Sequence, residues 1–166
     1  MLIYFIPLVL LSIFSLLENI DKFRILLKNK YLYFCVFCLF VIFICFRDQI
    51  GCDWDNYINH FKKISENDID FIFKNQKEFL DLGYIFIAKL VSYKFEFHIL
   101  IFIYGIFFTI PLFIFCYLIK RTYLSLLISY PYFIIVVGMG PKRQATSIAF
   151  LLSSILLFIH KKNVLG

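Results

Sequence analysis

Leu82-Gly83-Tyr84-Ile85-Phe86-Ile87-Ala88-Lys89-Leu90-Val91-Ser92-Tyr93 is the stretch on which the fold turns. It is apolar enough to be taken for a membrane span. At 1.5 Å of rise per residue, however, it makes only about 18 Å of helix, and a hydrocarbon core is about 30 Å thick. Lys89 stands in its middle, and Lys94 and Glu96 follow directly. The segment is therefore expected to lie at the interface, or to dip in and return, without crossing. Whether it crosses decides which side every later residue faces.

The surrounding sequence is a membrane protein's. Apolar residues make up 62% of 166 positions and Phe alone contributes 23, whereas soluble domains are about half apolar. Uncharged runs occupy Met1 to Leu17, Tyr31 to Phe46, Ile99 to Ile119, Thr122 to Pro141 and Gln144 to His160. Four of these reach the roughly 17 residues a spanning helix needs. Tyr31 to Phe46 falls one short, which Tyr31 and Arg47 relieve by sitting at the interface. The predicted fold is all-α: a polytopic transmembrane helix bundle of about five spans, plus the short interfacial or re-entrant helix, forming one domain over residues 1–166. Pro111 and Pro131 are expected to kink their spans. No internal repeat, low-complexity tract or soluble linker interrupts the chain.

Charge and cysteine usage narrow the class. The first run lacks a basic leader and a small-residue cleavage site, so it reads as a retained helix and not a signal peptide. Net charge is +6, but Lys and Arg cluster at the ends of apolar runs, which writes topology and argues against nucleic acid as a partner. Cys35, Cys38, Cys45 and Cys116 lie inside apolar runs and read as small hydrophobes. Cys35 and Cys38 have metal spacing but no second pair and no His. Cys52, in a polar loop, is expected to be a free thiol.

Orientation follows from the positive-inside rule. Glu18 to Lys30 carries Lys22, Arg24, Lys28 and Lys30 against two acids, which marks it cytoplasmic. The second helix then exits, and the loop 47–81, with five basic and eight acidic residues, lies outside. If Leu82 to Tyr93 does not cross, Lys120 and Arg121 are cytoplasmic and Lys142 with Arg143 face outside. If it does cross, Arg143 is separated from the acidic loop by the whole membrane. The first arrangement satisfies the charge rule at three loops. Its exception is a pair of cations at a turn, where an off-pattern Arg points to function.

Within the loop, Trp54, Tyr57, Ile58, Phe61 and Ile64 recur at helical spacing. The pattern predicts an amphipathic helix lying in the interface with its aromatic face in lipid, capped by Asp53. Glu66-Asn67-Asp68 reads as a turn, and Glu78 and Asp81 share one face of a second short helix. Arg47, Gly51 and Asp53 admit two readings. They are either a headgroup anchor, a tight turn and a cap, or a carboxylate that accepts a proton beside a cation that holds phosphate; composition alone does not choose. Asp81-Leu82-Gly83-Tyr84 is either an interfacial boundary or a second acid site. Lys142-Arg143-Gln144 opens a helix whose start favours an anion, with Arg supplying a bidentate fork; the alternative is topological anchoring.

Taken together, the order and spacing resemble the Wzy-type O-antigen polymerases and the related EpsG exopolysaccharide family. The resemblance rests on Arg47 followed by Gly51, Asp53, Trp54 and Tyr57, then Asp81, Gly83 and Tyr84, then Arg143 and Gln144. Cys52 stands where Thr is frequent, Asp81 where Glu is usual, and Ser147 where Ala is common. Members of the family are longer, so the chain is expected to be an N-terminal part of a polymerase.

The resemblance implies a polymerase of the bacterial inner membrane that joins oligosaccharide units carried on undecaprenyl pyrophosphate at the periplasmic face. Asp53 would be the catalytic base, with Asp81 in reserve. Arg47, Arg143 and Gln144 would hold pyrophosphate, and Trp54, Tyr57 and Tyr84 the sugar. No metal-ligand cluster is visible and no cofactor is expected. The lipid bilayer, a chain-length regulator and a flippase are the implied partners. A polyprenyl-phosphate-dependent ligase or other membrane transferase, and a non-catalytic or transport subunit, are the competing readings. The scarcity of charge within the spans counts against transport.

Overall fold

The computed structural model describes residues 2–45, 54–68, 71–72, 82–138 and 142–165; of residues 2, 3, 142, 143 and 160–165 only the backbone is described. Among these, all regular structure is helical: α1 (Leu2–Leu17), α2 (Asp21–Leu27), α3 (Lys30–Cys45), α4 (Trp54–Glu66), α5 (Leu82–Ser92), α6 (Phe97–Leu118), α7 (Thr122–Ser129) and α8 (Lys142–Leu165). α7 runs directly into a π-helical segment, Tyr130–Gly138. Pro131 lies in the first turn of that segment, where its missing N–H breaks the α ladder. Pro111, by contrast, sits inside an unbroken α6.

One described helix, Phe97–Leu118, is by itself long and apolar enough to cross a membrane. Asp21–Leu27 and Lys30–Cys45 reach that length only as a pair bent by 64°. The other apolar helices, Tyr4–Leu17, Leu82–Ser92, Thr122–Gly138 and Gln144–Ile159, are shorter. The all-helical expectation holds, whereas length and composition do not reach five spans.

Side-chain contacts fix the direction of each helix. Tyr33 near the start of α3 donates its hydroxyl to Phe113 O near the end of α6, at 2.6 Å. Cys45 at the end of α3 places Sγ 3.7 Å from Phe102 O near the start of α6, so the two helices are antiparallel. Ser125 Oγ donates to Cys116 O at 3.4 Å and Gly138 lies against Phe108, so α7 and its π continuation run back along α6. α1 is antiparallel to them in turn: the Glu18 carboxylate accepts the N–H groups of Thr122 at 2.8 Å and Tyr123 at 3.2 Å, and Tyr130 donates its hydroxyl to Tyr4 O. Glu18 is buried and does the work of a remote cap for α7, whose own Arg121 makes no capping bond.

Two consequences follow. Lys22, Arg24, Lys28 and Lys30, around α2, share one end of the bundle with Lys120 and Arg121, because Tyr123 reaches Leu27 O at 3.2 Å. The last described residue of α3 and the first turns of α6 lie together at the opposite end. Leu82–Ser92 packs with α4 against the first turns of α6, from Phe97 to Tyr104.

The core is two clusters strung along α6. Phe108, Leu112, Phe113 and Cys116 pack with Leu11, Val36, Phe40, Tyr123, Ile134, Ala145 and Leu152. Phe97, Leu100, Ile101 and Tyr104 pack with α4 and α5. Apolar contact alone does little to associate helices in lipid, where close backbone approach and interhelical hydrogen bonds matter more. Gly105 meets that need: a Cβ there would collide with Cys45 Sγ. On α8, Ala145 and Ala149 are buried four residues apart, and α8 makes its most extensive contact with α6.

Candidate functional site

α4 forms where the helical spacing placed it, with Trp54, Tyr57, Phe61 and Ile64 on one face and Asp55, Asn59, Lys62 and Lys63 exposed on the others. It ends in the expected turn, closed by Asn67 Nδ2 donating to Lys63 O at 2.8 Å. The expectation that its aromatic face lies in lipid is overturned. That face is buried against Tyr84, Ile85, Ala88 and Val91 of α5 and Phe97, Leu100 and Ile101 of α6. An interfacial helix needs lipid for its apolar face only when protein offers none, and here the protruding first turns of α6 offer it.

Lys89 explains why a charge stands in the middle of α5. Its ammonium donates to Asn67 O at 2.8 Å and Ile64 O at 3.0 Å, with Ser65 O at 3.4 Å. These are the carbonyls that the end of α4 leaves unpaired and where the helix dipole is negative. The Tyr93 ring lies under the same ammonium at 5.5 Å. Near the start of α5, Tyr84 donates its hydroxyl to Tyr57 O at 3.3 Å. Tyr57 with Tyr84 near the starts, and Ile64 and Asn67 with Lys89 near the ends, set α4 and α5 running in the same sense.

Tyr84 is the hub of an aromatic chain. Its ring lies 5.5 Å from that of Tyr57 and stacks at 20° on that of Tyr104. Burial first, and then the neighbouring Tyr104 and Tyr57, hold its phenol well above the ordinary value, so it remains a donor. Trp54 closes the other side, 5.4 Å from the Phe97 ring. Trp54, Tyr57 and Tyr84 are all buried; their ring faces meet protein.

Of the remaining candidates, Arg47, Asp53 and Asp81 lie outside the described residues, as do the proposed cap at Asp53, the Glu78 and Asp81 face, and Cys52. For Arg143 the backbone alone is described, in the first turn of α8, and Gln144 beside it is exposed. What the structure brings together is the described residues next to them in the chain. α3 ends, two residues before Arg47, at the level of Phe102 and Gly105. Trp54 and Leu82, which directly follow Asp53 and Asp81, begin two helices tied to Tyr104 through Tyr57 and Tyr84. The π segment ends against Phe108, four residues before Lys142. The described end of α3, the start of α5 and the end of the π segment meet residues 102–108 of α6, while Trp54 at the start of α4 packs on Phe97 and His98, nearer the start of α6.

Tyr104 and the capping role of Lys89 were not legible as site features. Lys89 was visible as a charge in an apolar segment, but its partners are backbone carbonyls, which carry no residue signature. Tyr104 is one aromatic among many in the run Ile99 to Ile119. Comparison with known proteins gives one finding: the model of the EpsG family matches residues 30–165, from the first residue of α3 to the last of α8. No curated protein and no solved structure matches the chain. The matched segment contains α3 to α8 and the converging ends around residues 102–108, and with most of its length so covered the chain belongs to the EpsG family.

Proposed function

We propose that this chain acts in polysaccharide polymerisation at the outer face of the bacterial inner membrane, which it crosses several times, by joining oligosaccharide units carried on undecaprenyl pyrophosphate. Membership of the EpsG family suggests the polymerase role. The observation that supports the finer reading is that three described segments meet residues 102–108 of α6, with the start of α4 beside them on Phe97. Arg47, Asp53, Asp81 and Arg143 adjoin these segments in the sequence, which supports a reading in which acids and guanidinium groups act on one side.

In this scheme a hydroxyl of the incoming unit gives its proton to Asp53, or to Asp81 as reserve, while its oxygen bonds to the anomeric carbon of the growing chain. The bond from that carbon to the pyrophosphate oxygen breaks. Arg143, supported by Arg47 and Gln144, holds the charge that develops on the departing lipid pyrophosphate. Trp54, Tyr57 and Tyr84 serve the sugar by fixing the helix starts that aim the acids. A chain-length regulator and a flippase are the partners of such a reaction.

The test is a strain whose own copy is replaced by Asp53→Asn or Arg143→Ala. Polymer is expected to vanish while the protein stays in the membrane at its usual level. Wild-type polymer lengths in either strain remove that residue from the scheme.

A further inference from the structure

At the basic end of the bundle, far from the converging segments, α3 and α6 leave a groove of about 460 Å³ between them. Its walls are Phe34, Phe37, Ile110, Phe113 and Ile114, with Lys30 and Tyr117 at one extremity. Phe34, Ile110 and Ile114 are exposed along it. Such a size and an almost wholly apolar lining with few polar groups suit a ligand with a long hydrocarbon part. The wall's own polar group is already used, since Tyr33 gives its hydroxyl to Phe113 O at 2.6 Å.

We propose that this groove holds an acyl chain of an anionic phospholipid, with the lipid phosphate gripped by Lys30. Two features fix the sign of the head group. Lys30 is the first residue of α3, so its ammonium stands beside the positive end of a helix of 16 residues. Lys22, Arg24, Lys28, Lys120 and Arg121 crowd the same end against Glu18 and Asp21, and Glu18 is buried and committed to α7. A zwitterionic head group would set its own ammonium among these cations. The Tyr31 ring steadies the Lys30 ammonium from 5.2 Å and leaves its donors free to turn toward phosphate. Tyr117, half exposed, brings a second hydroxyl to the same extremity.

The experiment uses the full chain, reconstituted in nanodiscs of equal phosphatidylglycerol and phosphatidylethanolamine, with native mass spectrometry of the lipids that remain after detergent release. Phosphatidylglycerol is expected to be retained in preference. Lys30→Gln should lower that preference about fivefold, the worth of one Lys near an anionic surface, and Lys30→Arg should keep it. Ile114→Trp, which fills the groove, should abolish retention of both lipids, with helix content by circular dichroism unchanged. Lys94→Gln, on the other side of the bundle, should change nothing. Equal retention of the two lipids, or the same preference in Lys30→Gln as in the unaltered chain, overturns the proposal. Displacement of phosphatidylglycerol by an equal concentration of undecaprenyl phosphate overturns it too, by giving the groove to a polyprenyl lipid. Tight retention that survives Ile114→Trp also refutes it, because the lipid is then held elsewhere.

Discussion

Replacing Lys89 by Met keeps the unbranched length of the side chain and removes its charge, and the two accounts of α5 predict opposite signs. If α5 crossed lipid, deleting a buried ammonium would stabilise the protein by about 2.5–3.5 kcal/mol on the insertion scale. In the structure the ammonium closes the end of α4 through Asn67 O at 2.8 Å and Ile64 O at 3.0 Å, while Ser65 O at 3.4 Å adds little. Two charge-assisted bonds in a half-exposed place, discounted for solvent screening, are worth together about 2 kcal/mol, or about thirtyfold in the equilibrium between docked and undocked α4. Hydrogen exchange of the purified protein reads this directly. Amides of α4 should exchange about thirtyfold faster in Lys89→Met and close to normally in Lys89→Arg, with the middle of α6 unchanged. A stabilised Met variant, or unaltered exchange in α4, would refute the capping role and reopen the spanning account.

Gly105→Ala drives a Cβ into Cys45 Sγ, and overpacking of this kind costs about 1–3 kcal/mol; thermal melting should show the loss, and Cys45→Ala in the same chain should restore most of it. Glu18→Ala leaves the N–H groups of Thr122 and Tyr123 buried without acceptors. A loss of about 2–4 kcal/mol is expected in a denaturant series, with Glu18→Gln intermediate because it keeps one acceptor oxygen; equal stability of all three would remove Glu18 as the cap of α7. Impermeant thiol labelling in spheroplasts should modify Cys52 and a Lys142→Cys variant from the same side, and labelling from opposite sides would separate Arg143 from the acidic loop.

The helical class, the position of α4 and the turn at Asn67 were legible because each rests on local periodicity or on a residue with its own turn chemistry. So was the shortness of the helix Leu82–Ser92, since its length is a sequence property. The aromatic face of α4 was misread for a physical reason. Trp54, Tyr57, Phe61 and Ile64 say that one face must leave water, and nothing local says whether lipid or protein receives it. Glu18 shows the same limit. It counts as one loop acid in a charge tally, yet its partners at Thr122 and Tyr123 lie more than a hundred positions away. The candidate site was legible as order and spacing, while the docking of α3, α5 and the π segment on α6 rests on tertiary contacts that no local pattern states.

The docking of α4 and α5 follows from the apolar surface that the first turns of α6 present. α6 begins at Phe97, whereas the last described residue of α3 lies against Phe102 and Gly105, so among the described residues α6 extends about 8–12 Å beyond it at 1.5 Å per residue. The protruding turns present Phe97, Leu100, Ile101 and Tyr104, and a bare apolar column of that height on a membrane surface demands a cover. α4 and α5 supply one, with Lys89 and Tyr84 fastening them to each other. The cover in turn decides what is left free: α4 spends its aromatic face on protein, so Asp55, Asn59, Lys62 and Lys63 on its other faces stay exposed. Within the described residues, α4 and α5 thus take the part of α6 that α3 does not reach, and the two core clusters divide α6 between them.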